Sequence, residues 1–70
     1  MLHMYSPEQI KALRLESGMT LAAFGAVLGV TESTVSYWES GRCHPRYLTL
    51  IKLNKFAEKL RGKKELAEAV

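Results

Sequence analysis

Cysteine is almost missing from this chain. Cys43 stands alone, so no internal disulfide can staple the fold. That exclusion matters at a length of 70 residues, because so short a chain buries only around 60% of the surface its unfolded form exposes. Stability must come from apolar packing, and an apolar share of 47% suits a packed globule rather than a disordered tail. A single free thiol fits a reducing compartment, and a cytoplasmic location is expected. No apolar run approaches the roughly 18 residues that would span a bilayer. No basic stretch followed by an apolar core marks a secretion signal. Strand signals are missing as well, with no sustained period-two alternation and no Asn-Gly or Asp-Gly hairpin dipeptide. Catalytic constellations are equally scarce. There is no carboxylate pair placed for a cleft, no Gly-rich phosphate loop and no defensible grouping of Ser, His and Cys. Cys43 and His44 with His3 fall short of the four ligands that zinc takes at recognisable spacing. Neither enzyme activity nor a metal, cofactor or small-molecule ligand is expected.

What the chain does have is helical punctuation. Ser6-Pro7-Glu8-Gln9 reads as an N-cap, a Pro at the first helical position and a capping-box Gln. Ile10, Leu13 and Ser17 continue one face, and Gly18 is a left-handed stop, which predicts a helix over 7–17. Thr20 and Gly29 bracket a second helix over 21–28. Thr31 and Gly41 bracket a third over 32–40. Gly41-Arg42-Cys43-His44-Pro45 cannot continue that helix, because Pro lacks an N–H and restricts the residue before it. Leu50, Leu53, Ala57 and Leu60, with Tyr47 and Phe56 nearby, predict a fourth over 46–60. Gly62 interrupts it, and residues 64–69 form at most a short fifth helix. The expected fold is all-α, a compact bundle of four to five short helices. Nothing marks a repeat or a second domain. The chain reads as one domain with a core over about 6–60, an extension at 1–5 and a tail at 61–70.

The net charge of +3 is unevenly placed. Residues 42–64 hold eight basic side chains against Glu58 alone, a local +7, while residues 1–41 and 65–70 each sum to −2. A basic cluster of this kind either neutralises phosphates with release of counterions or forms a solvated helix face. The second and third helices are joined only by Gly29, Val30 and Thr31. So short a Gly-containing turn sets two helices at a steep angle, which is the helix-turn-helix geometry. Phe24, Leu28, Val35 and Trp38 fall where such a pair must meet. Trp38 is therefore expected in the core rather than as a stacking platform. Gly25, in mid-helix at a cost of about 1 kcal/mol relative to Ala, points to the close approach of another helix.

Ile10, Leu13, Arg14, Gly18-Met19-Thr20, Phe24, Leu28-Gly29-Val30, Ser33-Thr34-Val35, Trp38-Glu39-Ser40-Gly41 and Pro45 together carry a resemblance. Over roughly residues 10–60 the chain resembles the phage-repressor and Cro type (XRE family) of helix-turn-helix domain. The resemblance implies a lambda-repressor-like bundle of five helices that binds double-stranded operator DNA, usually as a homodimer, and acts as a transcriptional repressor. It places the third helix in the major groove, with Glu32, Ser33, Ser36 and Tyr37 at base edges. Glu can accept from cytosine N4, and Ser can pair with several bases. Phosphate contacts are expected at Thr31, Arg42, His44 and Arg46, with the arginines ahead of a surface His that is mostly neutral at pH 7. Arg14 and Glu39 resemble a buried ion pair of structural role, since either charge buried alone would be costly.

Two departures qualify the resemblance. The family usually has Gln where Leu21 stands, and Leu cannot grip a phosphate. Residues 21–30 carry no polar side chain, so Leu21, Ala23 and Val27 are expected to be partly exposed, covered by Leu2–Tyr5 or by a partner protein. Between Thr31 and Gly41 there is no Arg or Lys, and Glu32 faces a polyanion, so one copy is expected to bind weakly and a dimer to restore affinity. Its surface is expected from the fourth helix onward, with Leu66 and Val70 as apolar contacts. The rival reading is a protein-interaction module on the same fold. An antitoxin or phage control protein would combine both.

Overall fold

The computed structural model describes residues 4–69, with side chains as far as Gly62. The calls on Leu2, His3, Leu66 and Val70 lie outside the described residues or side chains. Helix α1 (Pro7–Glu16) begins where the polar residues dictate. The Gln9 N–H donates to the Ser6 hydroxyl at 3.2 Å, and the Ser6 N–H donates to Gln9 Oε1 at 2.9 Å, a reciprocal cap that satisfies two otherwise orphaned donors. The helix stops one residue earlier than expected. Ser17 is its C-cap, and its hydroxyl donates to the Arg14 carbonyl at 2.6 Å.

Helices α2 (Leu21–Leu28) and α3 (Glu32–Ser40) follow, capped by Thr20 and Thr31. Both end by the same device. Gly29 (φ 74) and Gly41 (φ 84) take the left-handed conformation, which costs a residue with a Cβ roughly 1–2 kcal/mol. The N–H after each glycine then turns back into the last turn. Val30 donates to the Gly25 carbonyl at 2.8 Å and Arg42 to the Tyr37 carbonyl at 2.9 Å. This Schellman closure satisfies carbonyls that the helix end would orphan.

Helix α4 (Tyr47–Ala69) corrects two expectations. Gly62 does not interrupt it, so there is no separate fifth helix among the described residues. Gly62 keeps a negative φ, and no proline follows it. A lone Gly costs a helix about 1 kcal/mol, less than the flanking Lys, Leu, Arg and Glu can sustain.

One apolar cluster joins the four helices: Ile10 and Leu13, Phe24 and Leu28, Val35 and Trp38, Leu50, Leu53 and Ala57. The Phe24 and Phe56 rings meet edge to face, with centroids 5.5 Å apart, a geometry that adds about 0.5–1.5 kcal/mol beyond area burial. Tyr5 packs against the same cluster. Burial raises its phenol pKa, while nearby Arg61 lowers it and Glu58 raises it. The N-terminal segment is thereby tied to α4.

The close approach at Gly25 is also corrected in kind. A Cβ there would lie 2.7 Å from the Val30 carbonyl oxygen and 3.2 Å from Thr31 backbone atoms. The turn between α2 and α3 occupies that space, not another helix. Leu21 is half-buried against the core, whereas Ala23 is exposed and Val27 is 51% exposed. Tyr5 packs inward, but Met4 stays exposed.

Candidate nucleic-acid interface

The 3.6-residue period divides α3 into two faces. Val35 and Trp38 turn into the core, and Trp38 is only 3% exposed. Glu32, Ser33, Ser36 and Tyr37 share the opposite, solvent-facing side. The chain thus presents one acidic, two hydroxyl and one phenolic side chain on a single helix face. Each can hydrogen-bond to a base edge, and the tyrosine ring can also meet a thymine methyl.

Thr31 stands at the start of that face, with its hydroxyl already engaged. It accepts from the Thr34 N–H at 3.2 Å and shares a hydrogen bond with the Thr34 hydroxyl at 2.9 Å. Its own proton reaches a phosphate only when Thr34 is the donor of that pair. The first duty of Thr31 is to cap the helix.

The other end of α3 shows a coupling that sequence reasoning missed. The left-handed Gly41 turns the chain back on itself. The Arg42 N–H binds the Tyr37 carbonyl, and the Arg42 guanidinium sits 5.7 Å from the centre of the Tyr37 ring. A cation over an aromatic face is worth about 0.5–1 kcal/mol at an exposed site. The candidate phosphate-binding Arg42 and the candidate base-reading Tyr37 therefore form one unit. A signal for it was present, because Schellman closure brings the residue after the glycine beside the residue five places earlier. Beyond Arg42, buried Pro45 pins the loop, leaving His44 and Arg46 exposed on either side. Tyr47 (68% exposed) and Leu48 (72% exposed) follow on the first turn of α4.

The scaffold behind this surface is held by an ion pair. Arg14 Nε donates to one Glu39 oxygen at 2.7 Å and its second nitrogen, Nη2, donates to the other at 3.1 Å. A third donor, Nη1, reaches the Met19 carbonyl at 3.1 Å. Both side chains are nearly enclosed, at 13% and 10% exposure. The hydrogen bond to Glu39 raises the Arg14 pKa, opposed by desolvation and aided by the carboxylate charge. Such a two-pronged pair fixes orientation as well as distance. It ties α1 to the last turn of α3, and so sets the angle at which α3 presents its exposed face.

Among the described residues no cluster of His, Cys, Asp or Glu could hold a metal ion, and no helix is long and apolar enough to cross a membrane. Two short helices joined by a three-residue turn, packed on two flanking helices, define an all-α helix-turn-helix domain. The model of the helix-turn-helix family matches residues 10–60, well over half of the chain, and the chain belongs to that family. It is of the XRE type, a DNA-binding class of transcription regulators. No curated protein and no solved structure matches the chain.

Proposed function

We propose that the chain acts as one helix-turn-helix domain that binds a specific double-stranded operator as a homodimer and represses transcription. Glu32, Ser33, Ser36 and Tyr37 read base edges. Arg42, Arg46, His44 and Thr31 contact phosphates, with the two arginines carrying most of the charge. The observation that supports this most is the fold-back at Gly41. It sets a guanidinium against the exposed face of an α3 that has no basic residue of its own. Phosphate neutralisation then comes from the loop that precedes α4, and base contacts come from neutral and acidic groups.

Selection of binding sites from random duplex DNA with purified protein tests the reading. The expected result is an inverted repeat with half-sites one helical turn apart. Affinity should fall steeply with salt, with a slope set by the phosphates contacted. Arg46→Ala should weaken all sequences alike and reduce that slope by about one. Arg42→Ala should reduce the slope likewise, but it should also alter preference at the base that Tyr37 faces, since it frees the ring. Ser33→Ala should change the selected motif. Identical motifs for wild type, Ser33→Ala and Arg42→Ala would refute this placement of α3.

The second reading is a protein-binding module, or an antitoxin or phage control protein with both activities. The exposed apolar surface at Val27 favours it. Absence of DNA binding at about 50 mM salt, where phosphate contacts are strongest, would select the module over the repressor.

A further inference from the structure

A groove between the last turn of α2 and the middle of α4 has no part in the interface above. Val27, Leu28 and Phe56 form its apolar wall, and Lys52, Lys55 and Lys59 stand along it. Its volume is about 170 Å³, and Val27 is half open to solvent. The lysines fall at i, i+3 and i+7, on one face of α4. Lys52 is engaged, donating to the Leu28 carbonyl at 3.4 Å. Among the described residues, no carboxylate pairs with Lys55 or Lys59. An apolar groove edged by two cations that no described carboxylate neutralises fits a segment that is both apolar and acidic.

The chain carries such a segment. Residues 65–70 read Glu-Leu-Ala-Glu-Ala-Val, with two carboxylates, four apolar residues and no basic one. Helix α4 runs unbroken to Ala69. Glu65 thus lies about 9 Å beyond Lys59 along the same helix axis, heading away from its own groove. We propose that residues 65–70 of one copy dock into the α2–α4 groove of a second copy. The apolar residues cover Val27 and Phe56, and the two carboxylates face Lys55 and Lys59. Reciprocal exchange, one segment and one groove from each copy, closes a two-fold dimer. This names the interface of the dimer proposed above and rests on that reading. It also gives the exposed α2 residue Val27 a cover.

Sedimentation equilibrium of the full chain without DNA tests it. Wild type should self-associate reversibly. Lys55→Glu/Lys59→Glu puts acid against acid, and Glu65→Lys/Glu68→Lys puts base against base. Each double variant alone should associate about tenfold or more weakly. Mixed in equal amounts they should pair, because both contacts of the mixed dimer are complementary. Circular dichroism reports whether the variants stay folded. Val27→Glu, an exposed change on α2, should weaken association independently of α4. A monomeric wild type, double variants that associate like wild type, a mixture that fails to pair, or an unaffected Val27→Glu would each overturn the proposal. No DNA is present in these measurements. A wild type that binds DNA but stays monomeric without it sinks the dimer alone, and one that self-associates but binds no DNA sinks only the operator reading.

Discussion

Replacing Gly25 with Ala sets two effects of known sign against each other. In an open helix the change stabilises by about 1 kcal/mol, because Ala loses less backbone freedom and shields its helix. Here the added methyl would meet the Val30 carbonyl oxygen at 2.7 Å and two Thr31 backbone atoms at 3.2 Å. Backbone cannot swing aside as a flexible side chain does. The same stretch is held from the other side by the 2.8 Å hydrogen bond from the Val30 N–H to the Gly25 carbonyl, so relief means stretching that bond and moving the turn. Overpacking of this kind costs about 1–3 kcal/mol or more, and a weakened hydrogen bond about 1 kcal/mol. The net expectation is a loss of about 1–3 kcal/mol. A chain this short is stable by only about 4–10 kcal/mol in total, and Tm should drop by roughly 4–8 °C for each kcal/mol. Urea unfolding followed by Trp38 emission measures it, since the single tryptophan is 3% exposed and lies in the core. Gly62→Ala is the matched control. Nothing approaches within 4 Å of its Cβ position, so it should gain about 1 kcal/mol. If Gly25→Ala stabilises as Gly62→Ala does, the turn is not where it has been placed, and α3 is not held at the angle described.

Glu39→Leu leaves the enclosed Arg14 guanidinium with only the Met19 carbonyl, and should lower stability by about 3 kcal/mol. Arg14→Met/Glu39→Leu should return to within about 1 kcal/mol of wild type, because no charge is then left buried and unpaired. Chemical denaturation of both variants checks it, and a loss below about 1 kcal/mol for Glu39→Leu would make the pair no better than a surface one. Tyr5 supplies a pH dependence. Its folded-state pKa is raised above the ordinary value, chiefly by burial. Its contribution is therefore fully present below the unfolded pKa of about 10 and is lost as pH rises through the raised value. Tyr5→Phe should lose less stability than wild type between about pH 9.5 and 11. Identical alkaline profiles would remove Tyr5 from the packing of the N-terminal segment.

The amino-acid order by itself determined where α1 begins and where α2 and α3 begin and end, because caps are local. Ser6, Thr20 and Thr31 sit next to the orphaned N–H groups they satisfy, and Gly29 and Gly41 can turn left-handed wherever they stand. The short turn between two helices likewise pointed to the inward residues Phe24, Leu28, Val35 and Trp38, and the family resemblance pointed to the outward face of α3. Gly62 marks the boundary of that legibility. Glycine is a stop only when its backbone turns left-handed, and a neighbourhood of good helix formers carries α4 through it. What only the tertiary structure decided are the relations between distant groups. The Arg14–Glu39 distances, the turn backbone pressed against Gly25 and the lysines along the Val27–Phe56 groove each join residues far apart in the chain or on different elements. Local rules specify where a capped helix begins and ends. How helices lean on one another follows from packing all the apolar faces at once, and that sum is not written at any single position.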